Sequence, residues 1–337
     1  MRRLLFFFIA FSLAVSAMAQ EPANYYNSAN GLTGDQLKVA LHNIIKGHTS
    51  ITYAQIWNAF WSTDNKGNGV VWDMYSDKPG GTPPYTFRLG TDQCGSGGYS
   101  VEGDCYNREH SWPQSWFGSD GTAKTDLHHI FATDGYVNGK RSNHPFGEVR
   151  SATWTSRNGS KLGSCKTSGY TGTVFEPIDE YKGDFARAIM YMSVRYYGED
   201  SGWSNSDMTT KSVIKPWAIA MLLRWNDQDP VSQKEIDRNN AIYRDYQHNR
   251  NPFVDHPELA RMIWDPNWSA DEFDLPDGTQ ANGIVVYDLS GRKLLQSNVT
   301  NIDDEILSIK NRLRHGCYLI QIMDGNRVIM NRKLLVN

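Results

Sequence analysis

Long hydrophobic runs are scarce in this sequence. Apart from Leu4 to Val15 near the N-terminus, no stretch approaches the roughly 18 consecutive apolar residues that a membrane-crossing helix needs, which excludes a chain built around membrane spans. Excess positive charge is absent too: 34 Lys and Arg stand against 37 Asp and Glu, a formal charge of −3. Any polyanionic partner must then be gripped by local groups or a metal rather than by a broad basic field. Cysteine is limited to Cys94, Cys105, Cys165 and Cys317. None forms the paired CxxC of a structural zinc site, and HExxH spacing does not occur.

What is present begins with Arg2-Arg3, the apolar run, and the small-residue site Ala17-Met18-Ala19 before Gln20. This is the layout of a secretory signal over residues 1–19. Its removal takes the mature chain two charges further negative, through Arg2 and Arg3. Export exposes the thiols to an oxidising compartment, where Cys94 and Cys105 can close a small loop in a Gly-rich stretch or remain free. Cys165 and Cys317 fall in different expected domains and are not paired.

At 337 residues the chain suits one medium-sized body, residues 20–265, with a small appended module. Thr33 to Ile45 reads as a helix whose Leu37, Ala40, Leu41, Ile44 and Ile45 share a face, with Thr33 and Gln36 at capping-box spacing. From Gly67 to Tyr181 the composition predicts short strands and loops. Helices return from Asp184 through Val194, from Ile214 to Trp225, and to about Tyr243 with Pro230 in the first turn. The body is therefore expected to be α+β, with helices flanking a small irregular β centre. Residues 266–281 read as an acidic linker carrying Asp271, Glu272, Asp274 and Asp277. Residues 282–337 alternate in short runs separated by turns, predicting a small antiparallel β module. That tail, through "VVYDLSGRKLL", "GCYLIQI" and the terminal "NRKLLVN", resembles the C-terminal sorting domain of the type IX secretion system. The resemblance implies export by that machinery to the medium or cell surface of a Gram-negative, Bacteroidetes-type bacterium.

The residues best suited to chemistry lie in Asn107-Arg108-Glu109-His110-Ser111-Trp112-Pro113 and in "DLHHIFATDGYVNGKRSN" downstream. Neighbouring side chains on a strand point to opposite faces, so Glu109 and His110 can share a site only at a strand end or irregular turn. Thr133 is a fair N-cap for a short helix carrying Asn138. The order strand, connection, strand, helix suits phosphodiester hydrolysis, which needs a base for water, a cation for phosphate charge, and a proton for the leaving oxygen. A hard Mg²⁺ ion, with Ca²⁺ or Mn²⁺ as alternatives, can be held by one carboxylate and one amide carbonyl, here Glu109 and Asn138. His110 is then free to act as base.

At these residues the chain resembles the endonuclease I family of ββα-metal, or His-Me finger, nucleases. "NREHSWPQSWF", "DLHHIFATDGYVNGKRSN", "FEPIDEYKGDFARAIMYMSVRYY" and "NRNPFVDHPE" carry the match over residues 30 to 260. The resemblance implies a ββα-metal core, Glu109 and Asn138 as metal ligands and His110 as general base. It further implies a monomer cutting DNA, or RNA as well, with little base preference, to 5′-phosphate and 3′-hydroxyl ends. The loop between the histidine strand and the asparagine helix is shorter than in many relatives, with Lys124 its only basic residue before Asp126. The phosphate clamp is left open among Lys124, Arg108 and Arg141. Position 129 is histidine where some relatives have asparagine. One of His128 and His129 is expected to face the core and the other to support the site, and Trp112, Trp116 and Phe117 to belong to the core. Asp255 and His256 are expected to lock the C-terminal helices onto the core. Two other classes fit parts of the pattern: a zinc hydrolase of peptide or cell-wall substrates using His128, His129 and Glu109, and an inactive nuclease-like surface binding module.

Overall fold

The computed structural model describes residues 21–265, 281–288, 292–300, 302–314, 316–325 and 327–336. The expected signal peptide and the linker up to residue 280 lie outside the described residues. The chain divides into two compact units, Met1–Trp264 and Asp265–Asn337. Among the described residues no helix is long and apolar enough to cross a membrane.

The larger unit is α+β. Helix α1 (Gly34–Ile45) turns Leu37, Leu41 and Ile45 fully inward, as their 3–4 residue spacing requires. The expected box at its start does not form. Thr33 makes no side-chain cap bond, because the left-handed step at Gly34 (φ +55°) breaks the regular geometry a box needs. Helix α2 (Gln55–Thr63) buries Ile56, Ala59 and Phe60. Strand β1 (Tyr106–His110) pairs antiparallel with β2 (Ile130–Asp134), and helix α3 (Gly135–Arg141) follows at once. A second antiparallel sheet holds β3 (Val149–Thr155), β4 (Lys161–Cys165) and β5 (Thr173–Glu176) in that order.

Helix α4 (Lys182–Arg195) runs through the middle of this unit and is buried around its whole circumference. It stacks against α5 (Pro216–Gln228), which begins with proline where the missing N–H costs nothing. The next helix, α6 (Gln233–Ala241), starts later than expected. Pro230 lies outside it, and Ser232 and Glu235 form a complete capping box. A π-helical turn at Ile242–Gln247 and the short helices Pro252–Asp255 and Leu259–Trp264 complete the unit. Asp255 performs the expected locking, accepting from the Tyr26 hydroxyl at 2.7 Å and pairing with buried Arg250. Cys94 and Cys105 are disulfide-bonded, and Cys165 is free and buried.

The smaller unit is a four-stranded antiparallel sheet of β6 (Gly283–Tyr287), β7 (Lys293–Asn298), β8 (Gly316–Asp324) and β9 (Arg327–Val336), ordered β7-β6-β8-β9. It also contains a helix absent from the sequence reading, α7 (Ile302–Arg312). Ile306 and Ile309 of that helix pack with Ile284, Val286, Ile320, Ile322 and Leu334. Spacing of Ile302, Ile306, Ile309 and Leu313 already carried the helical period.

Candidate active site

The two-stranded sheet and α3 meet at a cleft of about 560 Å³. His110 is the last residue of β1, paired with Ile130, and Pro113 and the helical turn Gln114–Phe117 follow. The strand therefore stops where alternation would have separated Glu109 from His110, and both side chains line the cleft with Asn107, Arg108 and Asn138. Helix α3 is capped by Asp134, whose carboxylate accepts from Val137 N at 2.8 Å. Thr133, the expected cap, lies in β2 with its hydroxyl making no cap bond, and the helix starts one residue later.

Glu109 is 2% exposed. Its Oε1 accepts from both the Tyr75 hydroxyl at 2.8 Å and Arg141 Nη1 at 2.9 Å. Burial pushes the carboxyl up from its ordinary value, while the Arg141 charge and these bonds oppose that rise. With Oε1 occupied, Oε2 is the oxygen left for a ligand. On α3, Asn138 donates its amide N–H to Asn107 Oδ1 at 2.7 Å, which fixes the side chain so that Oδ1 is the free end. Two hard oxygen donors thus line the same cleft, the donor set that a divalent cation completed by waters requires.

His110 is oriented from behind. Its Nε2 lies 3.0 Å from the carbonyl oxygen of Lys124; a carbonyl only accepts, so Nε2 carries the proton and Nδ1 presents a lone pair. Gln114 Nε2 approaches Nδ1 at 3.4 Å. Burial, and then the neighbouring His129, hold the imidazole down at about 3, so it is neutral near pH 7. His129 mirrors this arrangement, donating from Nε2 to the Ala123 carbonyl at 2.7 Å, with its ring 5.4 Å from that of His110. His128 is buried, its Nε2 3.2 Å from Asn249 O. Both are engaged with the core, and among the described residues no group of three His, Cys, Asp or Glu could hold a metal. The zinc arrangement of His128, His129 and Glu109 does not form. Trp112, Trp116 and Phe117 are likewise buried in the core.

The three candidate phosphate contacts separate. Arg141 is a correction: it is 1% exposed, and besides Glu109 it donates to the carbonyls of His110, Ser111 and His144. Four of its five N–H groups donate inside the protein and the side chain is buried, so it braces the site from within. Lys124 is exposed, with Nζ 5.0 Å from the centre of the Tyr53 ring, and its backbone carbonyl is the group that touches His110. Arg108 lines the cleft, half-buried. Its guanidinium lies 3.5 Å above the Tyr53 ring and 4.4 Å from that of Trp57, and Nη1 donates to Tyr53 O at 2.8 Å. The planar group is pre-oriented, with other N–H groups left to give.

Tyr53, Trp57 and Tyr75 were missed from the sequence. They stand 30 to 60 residues before the strand that they serve and share no motif with it. Tyr53 also stacks at 6.1 Å with His110.

Comparison with known proteins identifies the family of each unit. Residues 33–258 match the family described as Endonuclease I, and residues 266–337 match the Secretion system C-terminal sorting domain. The extracellular ribonuclease of Bacillus amyloliquefaciens is 40% identical over 264 residues, covering 75% of this chain and 82% of that protein. That of Bacillus subtilis (strain 168) is 38% identical over 262 residues, covering 74% and 82%. Endonuclease-1 of Buchnera aphidicola subsp. Baizongia pistaciae is 30% identical over 132 residues, 39% of this chain and 46% of that protein. The chain belongs to the endonuclease I family and carries a C-terminal sorting domain.

Proposed function

We propose that this protein is a secreted, divalent-metal-dependent endonuclease of the ββα-metal class that hydrolyses both RNA and DNA. The observation that carries the reading is the convergence of Glu109, Asn138 and a His110 held through Nε2 by the Lys124 carbonyl on one cleft. Glu109 Oε2 and Asn138 Oδ1 would hold a Mg²⁺ ion, with Ca²⁺ and Mn²⁺ as substitutes, and when bound it supplies positive charge to the scissile phosphate. His110 Nδ1 takes a proton from the water that attacks phosphorus, while the Lys124 carbonyl steadies the imidazolium through Nε2–H. Arg108 donates to a non-bridging oxygen. The leaving 3′-oxygen takes its proton from solvent, which leaves 5′-phosphate and 3′-hydroxyl ends. Because the nucleophile is water, the chemistry needs no 2′-hydroxyl; both Bacillus relatives are named ribonucleases, which favours RNA beside DNA. The sorting domain supports delivery by the type IX machinery of a Bacteroidetes-type bacterium to the medium or cell surface.

The test is digestion of supercoiled plasmid and of single-stranded RNA by purified protein with Mg²⁺, Ca²⁺, Mn²⁺ or a chelator. Cleavage of both with metal, none with chelator, and ligatable 5′-phosphate ends are expected. RNA products ending in 2′,3′-cyclic phosphate would overturn the water mechanism. Arg108→Gln is expected to lower kcat/KM by about tenfold to a hundredfold, the worth of hydrogen bonds to a charged group. It should also reduce the slope of log affinity against log salt by about one; an unchanged slope and rate would remove Arg108 from the phosphate.

A further inference from the structure

Helix α3 ends in an unusual backbone step. Ser142 adopts φ +51° and ψ −127°, and the turn Arg141–His144 is closed by His144 N donating to Arg141 O at 3.1 Å. These are the angles of the first central residue in a type II′ turn, a position that glycine fills because a Cβ is strained there. The same chain obeys that rule elsewhere: Gly118, after the helical turn Gln114–Phe117, has φ +61° and ψ −122°. Four other non-glycine residues have positive φ among the described residues. Asn24 and Asn68 are asparagines, His248 lies in the ordinary left-handed region at ψ 21°, and Lys211, the first residue of the two-residue loop between Thr210 and Val213, is not among the residues that line the cleft. Of these described residues, Ser142 is the one that lines the cleft, beside Asn138, and there a serine occupies a glycine conformation.

The surroundings hold Ser142 in this state. Arg141 before it is tied by its whole guanidinium, and its Nε donates to His144 O beyond the turn. Ser142 N in turn donates to Asn138 O at 2.8 Å. Strain kept in place by such constraints concentrates where a side chain has work to do. The Ser142 side chain is exposed in the cleft and makes no hydrogen bond to any described residue. Asn143, next to it, is also exposed and lines the cleft.

We infer that serine is retained at position 142 because its hydroxyl donates to a non-bridging phosphate oxygen of the nucleic-acid backbone lying in the cleft. The inference rests on the nuclease reading above. A neutral donor suits this role: it binds sugar–phosphate without regard to base, and it adds no charge next to the metal-holding oxygens.

Ser142→Gly and Ser142→Ala separate the strain from the hydroxyl. Glycine relieves the strain and deletes the hydroxyl; alanine keeps the strain and deletes the hydroxyl. Expected for Ser142→Gly is a rise in Tm of roughly 2–4 °C, net of the freedom that glycine adds to the unfolded chain. Ser142→Ala should leave Tm unchanged. Both should lower kcat/KM on RNA and plasmid on the order of tenfold. A Ser142→Gly enzyme that cuts as well as the parent overturns the inference, and so does one that melts no higher. Parent protein in the same assay keeps the two readings apart: if it cuts nothing with any of the three metals, the nuclease reading itself fails.

Discussion

His110→Ala is expected to lower kcat on plasmid or RNA on the order of 10²- to 10⁴-fold, the usual contribution of a positioned base, while metal binding is retained. The argument is geometric. The proton on Nε2 is committed to Lys124 O, so Nδ1 is the only basic nitrogen, and it opens toward the cleft that holds Glu109 and Asn138. Burial and His129 keep the ring neutral, so the lone pair is available at neutral pH without prior loss of a proton. Alanine deletes that group and leaves the Lys124 carbonyl unpaired, a local cost of about 1–3 kcal/mol. A melting curve separates this cost from catalysis. Calorimetric titration with Mn²⁺ checks that the metal site is intact, because neither proposed ligand is touched. His110→Gly leaves a ring-sized space, and added imidazole should restore part of the lost rate. Undiminished cleavage by His110→Ala would sink the assignment of the base.

Much of this site was legible because its central groups are local in sequence. Glu109 and His110 are adjacent, and Asn138 follows after one strand pairing, so residue type and spacing bring them into one cleft. The helical scaffold was legible for a similar reason, since Leu37, Leu41 and Ile45 announce their shared face by period alone. Errors gathered where neighbouring residues compete for one role. Thr133 and Asp134 are both good caps, and only the bond from Val137 N to the Asp134 carboxylate decides for Asp134. Pro230 and Ser232 are both good starts, and the reciprocal bonds of Ser232 with Glu235 decide for Ser232.

Other features depend on tertiary packing that no local pattern encodes. A sequence shows the charge of Arg141 but not its burial, so a residue engaged inside the protein looked like a phosphate contact. Tyr53 reaches the cleft from a distant loop, beneath the Arg108 guanidinium, and Tyr75 reaches Glu109 from the core behind it. The phosphate clamp could be narrowed only once these rings were placed: Tyr53 and Trp57 hold Arg108 flat at the cleft wall, whereas Arg141 faces inward.

The buried Arg141–Glu109 pair carries the largest expected loss of stability. Arg141→Met is expected to destabilise the nuclease unit by about 3–5 kcal/mol, because it leaves the Glu109 charge buried without its partner. Three backbone carbonyls, of His110, Ser111 and His144, lose their donor as well. Such a loss is a large share of the 5–15 kcal/mol that typically holds a folded protein. At roughly 2–4 °C per kcal/mol it should appear as a fall in Tm of about 6–20 °C. Glu109→Gln should cost less, since a neutral amide oxygen still accepts from Tyr75 while Arg141 keeps its three carbonyls. The double variant should then lose clearly less stability than the sum of the two single losses, because removing both charges avoids stranding either. Arg141→Lys is not expected to rescue, as one ammonium cannot span carbonyls that a planar fork reaches together. The same variants test positioning. Tyr75 and Arg141 share Oε1 and so aim Oε2 at the cleft; with Arg141 gone, Mn²⁺ should bind more weakly even under conditions where the variant is fully folded. Unchanged Mn²⁺ affinity in folded Arg141→Met would mean that Arg141 only stabilises the fold, and additive losses in the double variant would mean that the two charges do not act as a pair.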